Sequence, residues 1–344
     1  MIKVLVVDDS AVARRLIVKM LENDEEIKVV GTASDGIEAI ELVEKLKPDV
    51  VTLDVEMPRM NGLEALKHIM ENNPVPVIMF SALTREGAEI TMKALELGAV
   101  DFITKDFSNI SISLQTKENE LITKIKSVAK NRVAFLLKRL KTGLTQKPVV
   151  RTVSKTTNRD IVCIGASTGG PSALQVILTR MPKDLPVSIV IAQHMPRLFT
   201  QLLSSRLDSL CEIKVKEAEN REPLQRGIAY LAPGDTHITL KKRGSETIVE
   251  FSRDSQYIYR PSVDLLLQSA AETYRRKAVG VILTGMGNDG VLGAKSLYES
   301  GGYLICQNEE TSVVFGMPRA VINAGYAHSV LPLDKIPEEI LAVI

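Results

Sequence analysis

Short apolar runs alternate with amphipathic stretches along most of the chain. In the first third, Val4–Val7, Val29–Thr32, Val50–Leu53, Val75–Phe80 and Asp101–Thr104 are brief and bounded by polar or turn residues. Such runs suit strands buried on both faces of a parallel sheet. Between them, Ala11–Leu21, Ile37–Lys45, Leu63–Glu71 and Ala88–Leu97 carry helical spacing. Ser10 stands where an N-cap belongs, and Gly98 where a helix stops. Five strands alternating with helices predict a doubly wound, five-stranded parallel sheet.

The rhythm resumes at Asp160. Ile161–Ile164, Val187–Ala192, Val279–Leu283 and Tyr303–Gln307 are strand-like. Helices are expected from Pro171 to about Arg180, and over Leu198–Leu207, Val263–Tyr274 and Val291–Glu299. Tyr230–Ala232, His237–Leu240 and Thr247–Phe251 are short β segments, the last two read as a hairpin. This half is also α/β: a doubly wound, mainly parallel sheet with an antiparallel hairpin. Between the halves, residues 121–159 hold eleven Lys/Arg and no Asp or Glu. Leu121, Ile125, Val128, Phe135, Leu136 and Leu140 have helical spacing there, and residues 142–158 are polar without period. The expected division is residues 1–122, a basic helix and flexible linker at 123–157, and a second domain at 158–344.

Composition narrows the classes. The 344 residues are 45% hydrophobic, with 43 Lys/Arg against 42 Asp/Glu. A net charge of +1 supplies no global field for nucleic acid or membrane. No helix-turn-helix is recognisable, so nucleic-acid binding is not expected. Cys163, Cys211 and Cys306 are isolated and odd in number, which argues against disulfides or a zinc knuckle and suits a cytoplasmic protein. No stretch is apolar enough for membrane insertion.

The chemistry gathers at strand ends. In the first domain Asp8, Asp9, Asp54, Ser81 and Lys105 all fall on one sheet edge. Three clustered carboxylates repel unless a cation neutralises them, and Mg²⁺ is the hard, oxygen-seeking choice. If Asp54 attacked a phosphoryl group, Lys105 and Ser81 would bind its oxygens. In the second domain Ser167, His194 and Asp289 follow three strands. An imidazole can take the serine proton while a buried carboxylate fixes its tautomer. Gly165-Ala166-Ser167-Thr168-Gly169-Gly170 permits a sharp turn, and the helix from Pro171 aims N–H groups at it. Those amides, or amides of Gly285–Gly290, can form an oxyanion hole. The Ser, His, Asp order differs from that of α/β-hydrolases. Phosphate or nucleotide binding by the glycine loop, and a non-enzymatic binding module switched by the first domain, remain alternatives on these residues alone.

The motifs VVDDS, LDVEMPRMNG, FSALT and DFITK over residues 1–106 resemble the response-regulator receiver domain, a flavodoxin-like fold. The resemblance implies that Asp54 is the phospho-acceptor, that Asp8, Asp9, Asp54 and the Glu56 backbone hold Mg²⁺, and that Ser81 and Lys105 read the phosphoryl group. Phe102 takes the place of the family's switching aromatic. Asp106 stands where the family usually has Pro, which removes any cis X-Pro bond after Lys105. From about residue 158, IGASTGG, IAQHMP, LAPGDTHI, YRPSVDLLL and LTGMGNDG resemble the catalytic domain of the chemotaxis protein-glutamate methylesterase family. That resemblance implies Ser167 as nucleophile, His194 as base, Asp289 as its orienting acid and Met286 as an oxyanion-hole amide. It further implies an esterase and glutamine deamidase acting on chemoreceptors. Its regulation would be phosphorylation by a histidine kinase that uncovers the Ser167 edge, with no cofactor for the esterase step and a monomeric state.

Overall fold

A computed structural model describes residues 1–105, 112–130, 159–254 and 256–344. The chain divides into two units, Met1–Gly143 and Leu144–Ile344.

In the first unit β1 (Ile2–Val7), β2 (Ile27–Ala33), β3 (Val50–Asp54), β4 (Val77–Ser81) and β5 (Asp101–Thr104) pair in the order β2-β1-β3-β4-β5. Every pairing is parallel. The unbroken apolar run Val4–Val7 is explained by burial on both faces of a central strand. Strand β4 starts at Val77, two residues later than expected, after Pro76, which has no N–H for the ladder. The helices are α1 (Ala11–Glu22), α2 (Gly36–Leu46), α3 (Gly62–Asn72), α4 (Arg85–Leu97) and α5 (Ile112–Lys130). Ser10 does cap α1, its Oγ accepting the Ala13 N–H, and Gly98 ends α4 at φ +110°. Leu121, Ile125 and Val128 of α5 are buried against their own unit. Phe135, Leu136, Leu140 and the expected linker at 142–158 lie outside the described residues.

The second unit holds β6 (Ile161–Ala166), β7 (Ser188–Gln193), β8 (Lys214–Glu217), β9 (Ile228–Leu231), β12 (Ala278–Ile282), β13 (Tyr303–Gln307) and β14 (Ser329–Leu331). These form one seven-stranded sheet, β14-β13-β12-β6-β7-β9-β8, parallel throughout. The expected hairpin exists: β10 (His237–Arg243) and β11 (Glu246–Ser252) form a separate antiparallel ribbon. Its helices are α6 (Gly170–Leu178), α7 (Arg197–Leu210), α8 (Val263–Tyr274), α9 (Val291–Glu299), α10 (Met317–Asn323) and α11 (Ile336–Val343). The core runs between sheet, α8 and ribbon through Tyr230, Ile238, Leu240, Val249, Leu266 and Leu267. Strands β8 and β14 had no apolar signature because both are outer strands with mostly unburied side chains.

Candidate functional site

In the first unit the C-terminal ends of β1, β3 and β5 bring the acidic cluster together. Single carboxylate oxygens of Asp8, Asp9 and Asp54 lie within 4.8 Å of one another. Asp8 and Asp54 are buried and Asp9 is exposed. The Lys105 ammonium bridges the two buried acids, 2.7 Å from Asp8 Oδ2 and 2.6 Å from Asp54 Oδ2. Burial lifts the Asp54 carboxyl to about 6; the charge of Asp8 adds to the rise, and Lys105 and the Glu56 N–H oppose it. Burial would pull the Lys105 ammonium down, but the two carboxylates hold it above its ordinary value. An all-oxygen, anionic donor set with one exposed member fits a hard divalent cation. Ser81 is at the same edge and fully buried, its hydroxyl donating to the carbonyls of Gly87 (3.1 Å) and Ala82 (3.2 Å). Gly62 begins α3 so close to β3 that a Cβ there would overlap the Asp54 carbonyl oxygen. Phe102 is buried, with the Lys124 ammonium 5.8 Å from its ring centre. Asp106 lies outside the described residues; Lys105 itself is anchored by its N–H donating to the Ser81 carbonyl at 2.8 Å.

In the second unit Ser167 and His194 directly follow β6 and β7. Asp289 lies seven residues beyond β12, in the loop before α9, and not at a strand end. His194 Nε2 is 2.8 Å from Asp289 Oδ2. The Asp289 carboxylate also accepts the N–H of Val263 (2.8 Å), the N–H of Asp264 (2.9 Å) and the Ser262 hydroxyl (3.1 Å). Burial would raise its pKa, yet the hydrogen bond and charge of His194, with those backbone donors, hold it below the usual carboxylate range. An ionised Asp289 accepts from Nε2–H, which leaves Nδ1 as the basic nitrogen. Nδ1 is buried and without a hydrogen-bond partner among the described residues. Ser167 Oγ makes no hydrogen bond among the described residues; such bonds are often long before substrate closes a site.

The serine turn is tied down by its backbone. The Ser167 N–H donates to the Thr284 carbonyl, and the Ser167 carbonyl accepts from Gly170 N–H (2.8 Å) and Gln193 Nε2 (2.9 Å). Gly169 at φ +76° precedes α6, and no side chain caps that helix. Gly285 lies against Ser167: a Cβ there would be 2.8 Å from Ser167 Cβ. Its N–H is taken by the Val314 carbonyl at 3.0 Å. The half-buried Met286 follows, and its N–H meets no acceptor among the described residues.

The chain matches the family model of CheB methylesterase over residues 162–340 and that of the response regulator receiver domain over residues 4–117. It is 46% identical to the protein-glutamate methylesterase/protein-glutamine glutaminase of Lawsonia intracellularis, spanning 100% of this chain and 99% of the relative. The Thermotoga maritima protein of that name is 46% identical over 100% of this chain and 98% of its own. The chain belongs to the CheB methylesterase family. The crystal structure of the Thermotoga maritima CheB methylesterase catalytic domain superposes with a TM-score of 0.53 at 47% identity, covering 54% of this chain and 99% of that one.

Three residues of this CheB family site carried no role in the sequence. Tyr259 stacks flat on His194, centroids 4.7 Å apart and planes 5° from parallel. Ser262 caps α8 and touches Asp289. Asp264 accepts the N–H groups of Gly290 and Gly293. All three sit in the stretch YRPSVDLLL, which was noticed as a motif but gives no spacing that predicts these contacts. His237, expected in the hairpin, is fully buried there, its Nε2 donating to the Asp254 carbonyl (3.0 Å) and its Nδ1 accepting from Ser262 N–H (3.2 Å). It is a brace for the loop that carries Tyr259. No helix among the described residues is long and apolar enough to cross a membrane.

Proposed function

We propose that the second unit is a serine hydrolase that cleaves glutamate γ-methyl esters on chemoreceptors, and deamidates certain receptor glutamines, under control of the first unit. Ser167 Oγ attacks the ester carbonyl while its proton passes to His194 Nδ1. The Asp289 carboxylate stabilises the imidazolium through Nε2–H. The tetrahedral oxyanion is met by the Met286 N–H, with help from the N-terminus of α6. The proton returns to the departing methoxide, which leaves as methanol. Water, deprotonated by the same nitrogen, hydrolyses the acyl-serine and restores the glutamate carboxylate. Deamidation is the same acyl transfer with ammonia leaving.

The observation that carries this reading is the 2.8 Å His194–Asp289 contact beside the serine turn, in a chain whose full-length relatives bear that activity in their names. For the first unit, Asp54 is the phospho-acceptor and a histidine kinase the donor. Asp8, Asp9, Asp54 and the Glu56 backbone would hold Mg²⁺, which offsets anionic charge during phosphoryl transfer. Lys105 and Ser81 then read the phosphoryl oxygens, Ser81 after turning from its carbonyl partners. The protein works as a monomer in the cytoplasm, where receptor signalling regions are reached. Methanol release from methylated receptor membranes tests the reading: Ser167→Ala should abolish it, and release at the wild-type rate would refute the nucleophile.

A further inference from the structure

Two helices start at the active edge and pack along each other, α8 after Ser262 and α9 after Gly290. Neither start is satisfied entirely from its own segment. The first turn of α8 donates to Asp289, which belongs to the segment leading into α9. The first turn of α9 has no side-chain cap of its own, because its N-cap is Gly290 at φ +105°. The N-cap Gly290 N–H (2.9 Å) and the first-turn Gly293 N–H (2.8 Å) go instead to Oδ1 of Asp264 in α8, while the Val291 N–H is taken by the Asn288 carbonyl at 3.2 Å. The two carboxylates therefore cap each other's helix. Gly293 makes the crossing possible, since a Cβ there would lie 2.5 Å from the Asp264 carbonyl oxygen.

Chain connectivity gives this clasp a consequence for catalysis. Gly290 immediately follows Asp289, so the bond to Gly290 N–H fixes the peptide unit that carries the triad acid. We propose that Asp264 is a positioning residue of the esterase, whose Oδ1 sets where Asp289 stands and so how His194 is oriented. The inference rests on the Ser167–His194–Asp289 reading. Asp264 also borders a cavity of about 350 Å³ with Tyr257, Tyr259, Asn288 and Leu292. What matters on this account is an acceptor oxygen in that place, not a second negative charge. The Asp264 carboxyl stands at about 6, mainly through burial, with the charge of Asp289 adding to it.

The test uses the full chain with a small phosphodonor, and measures turnover per Ser167 site that accepts an acylating probe, well below the melting temperature. Asp264→Ala should lower kcat by at least about tenfold, with KM within about twofold, because a misplaced catalytic group costs rate and not ground-state binding. Asp264→Asn, which keeps an acceptor oxygen, should restore kcat to within about threefold of wild type. If Asp264→Ala does not fold, Asp264→Ser takes its place with the same expectation, its hydroxyl being too short to reach both N–H groups. Wild-type kcat per site in the Ala or Ser variant overturns the proposal. So does a rise in KM at constant kcat, or an Asn variant as impaired as Ala. Ser167→Ala run alongside, its turnover expressed per protein chain, separates the two levels. If it retains wild-type turnover, the triad reading fails and the inference with it; if it is inactive while Asp264→Ala is not impaired, only the inference fails.

Discussion

Asp54 is held ready at a cost to the fold. Its carboxyl stands at about 6 in the folded protein, against 3.8 for an unhindered aspartate, because burial and Asp8 outweigh the Lys105 ammonium. At about 1.4 kcal/mol for each factor of ten, ionising it in place costs on the order of 3 kcal/mol. For an acid whose folded value is raised, the folded state binds more protons between the two values. Stability of the first unit therefore falls as pH rises from about 4 to about 6 and then levels off, as far as this group is concerned. Asp54→Asn removes the charge and keeps the shape, and Lys105 retains Asp8 as partner. The variant should stabilise the unit by up to about 3 kcal/mol at pH 7 and by only about 0.5 kcal/mol at pH 4. Hydrogen exchange of the β1 and β3 amides in the full chain reads this unit without requiring two-state unfolding of the whole. An Asn variant no more stable than wild type at pH 7 would refute the reasoning. A gain that persists undiminished at pH 4 would refute it equally, since it would owe nothing to the charge.

The catalytic unit yields further expectations. Asp289→Asn should cut turnover by about 10³–10⁴ while leaving KM nearly unchanged, since an amide neither fixes the Nε2–H tautomer nor stabilises the imidazolium; steady-state kinetics on methylated receptor membranes checks it. Because the Asp289 carboxyl is held low, it stays ionised through the range in which an imidazole titrates, so the acid limb of the wild-type rate profile should show one group and not two. Tyr259→Ala should lower kcat by about two- to tenfold, the worth of one stacked pair, and Tyr259→Phe should stay near wild type; a Phe variant as slow as Ala would assign the effect to the phenol hydroxyl.

Much of this was legible from residues alone, for physical reasons that can be named. Val4–Val7 announced a central parallel strand because burial on both faces leaves no room for a polar position. Parallel strands place their C-terminal ends together, so Asp8, Asp54 and Lys105 were predictable neighbours, as were Ser167 and His194. What escaped had no local signal. The outer strands β8 and β14 bury too little to show an apolar run. Tyr259 reaches His194 and Asp264 reaches Gly290 only through the packing of a loop and two helices, a long-range fact that no spacing in YRPSVDLLL encodes. Asp289 was identifiable by type, but its capping of α8 was not, because that helix belongs to another part of the chain.

The central claim is a phosphorylation-controlled esterase whose nucleophile is Ser167, and one experiment bears on both parts. Methanol release from methylated receptor membranes is measured for the full chain, Ser167→Ala and Asp54→Asn, each with and without a small phosphodonor and Mg²⁺. The account predicts release by the wild type that rises with the donor, release by Asp54→Asn that does not respond to it, and none from Ser167→Ala. Undiminished release by Ser167→Ala, or a donor response that survives Asp54→Asn, would contradict it.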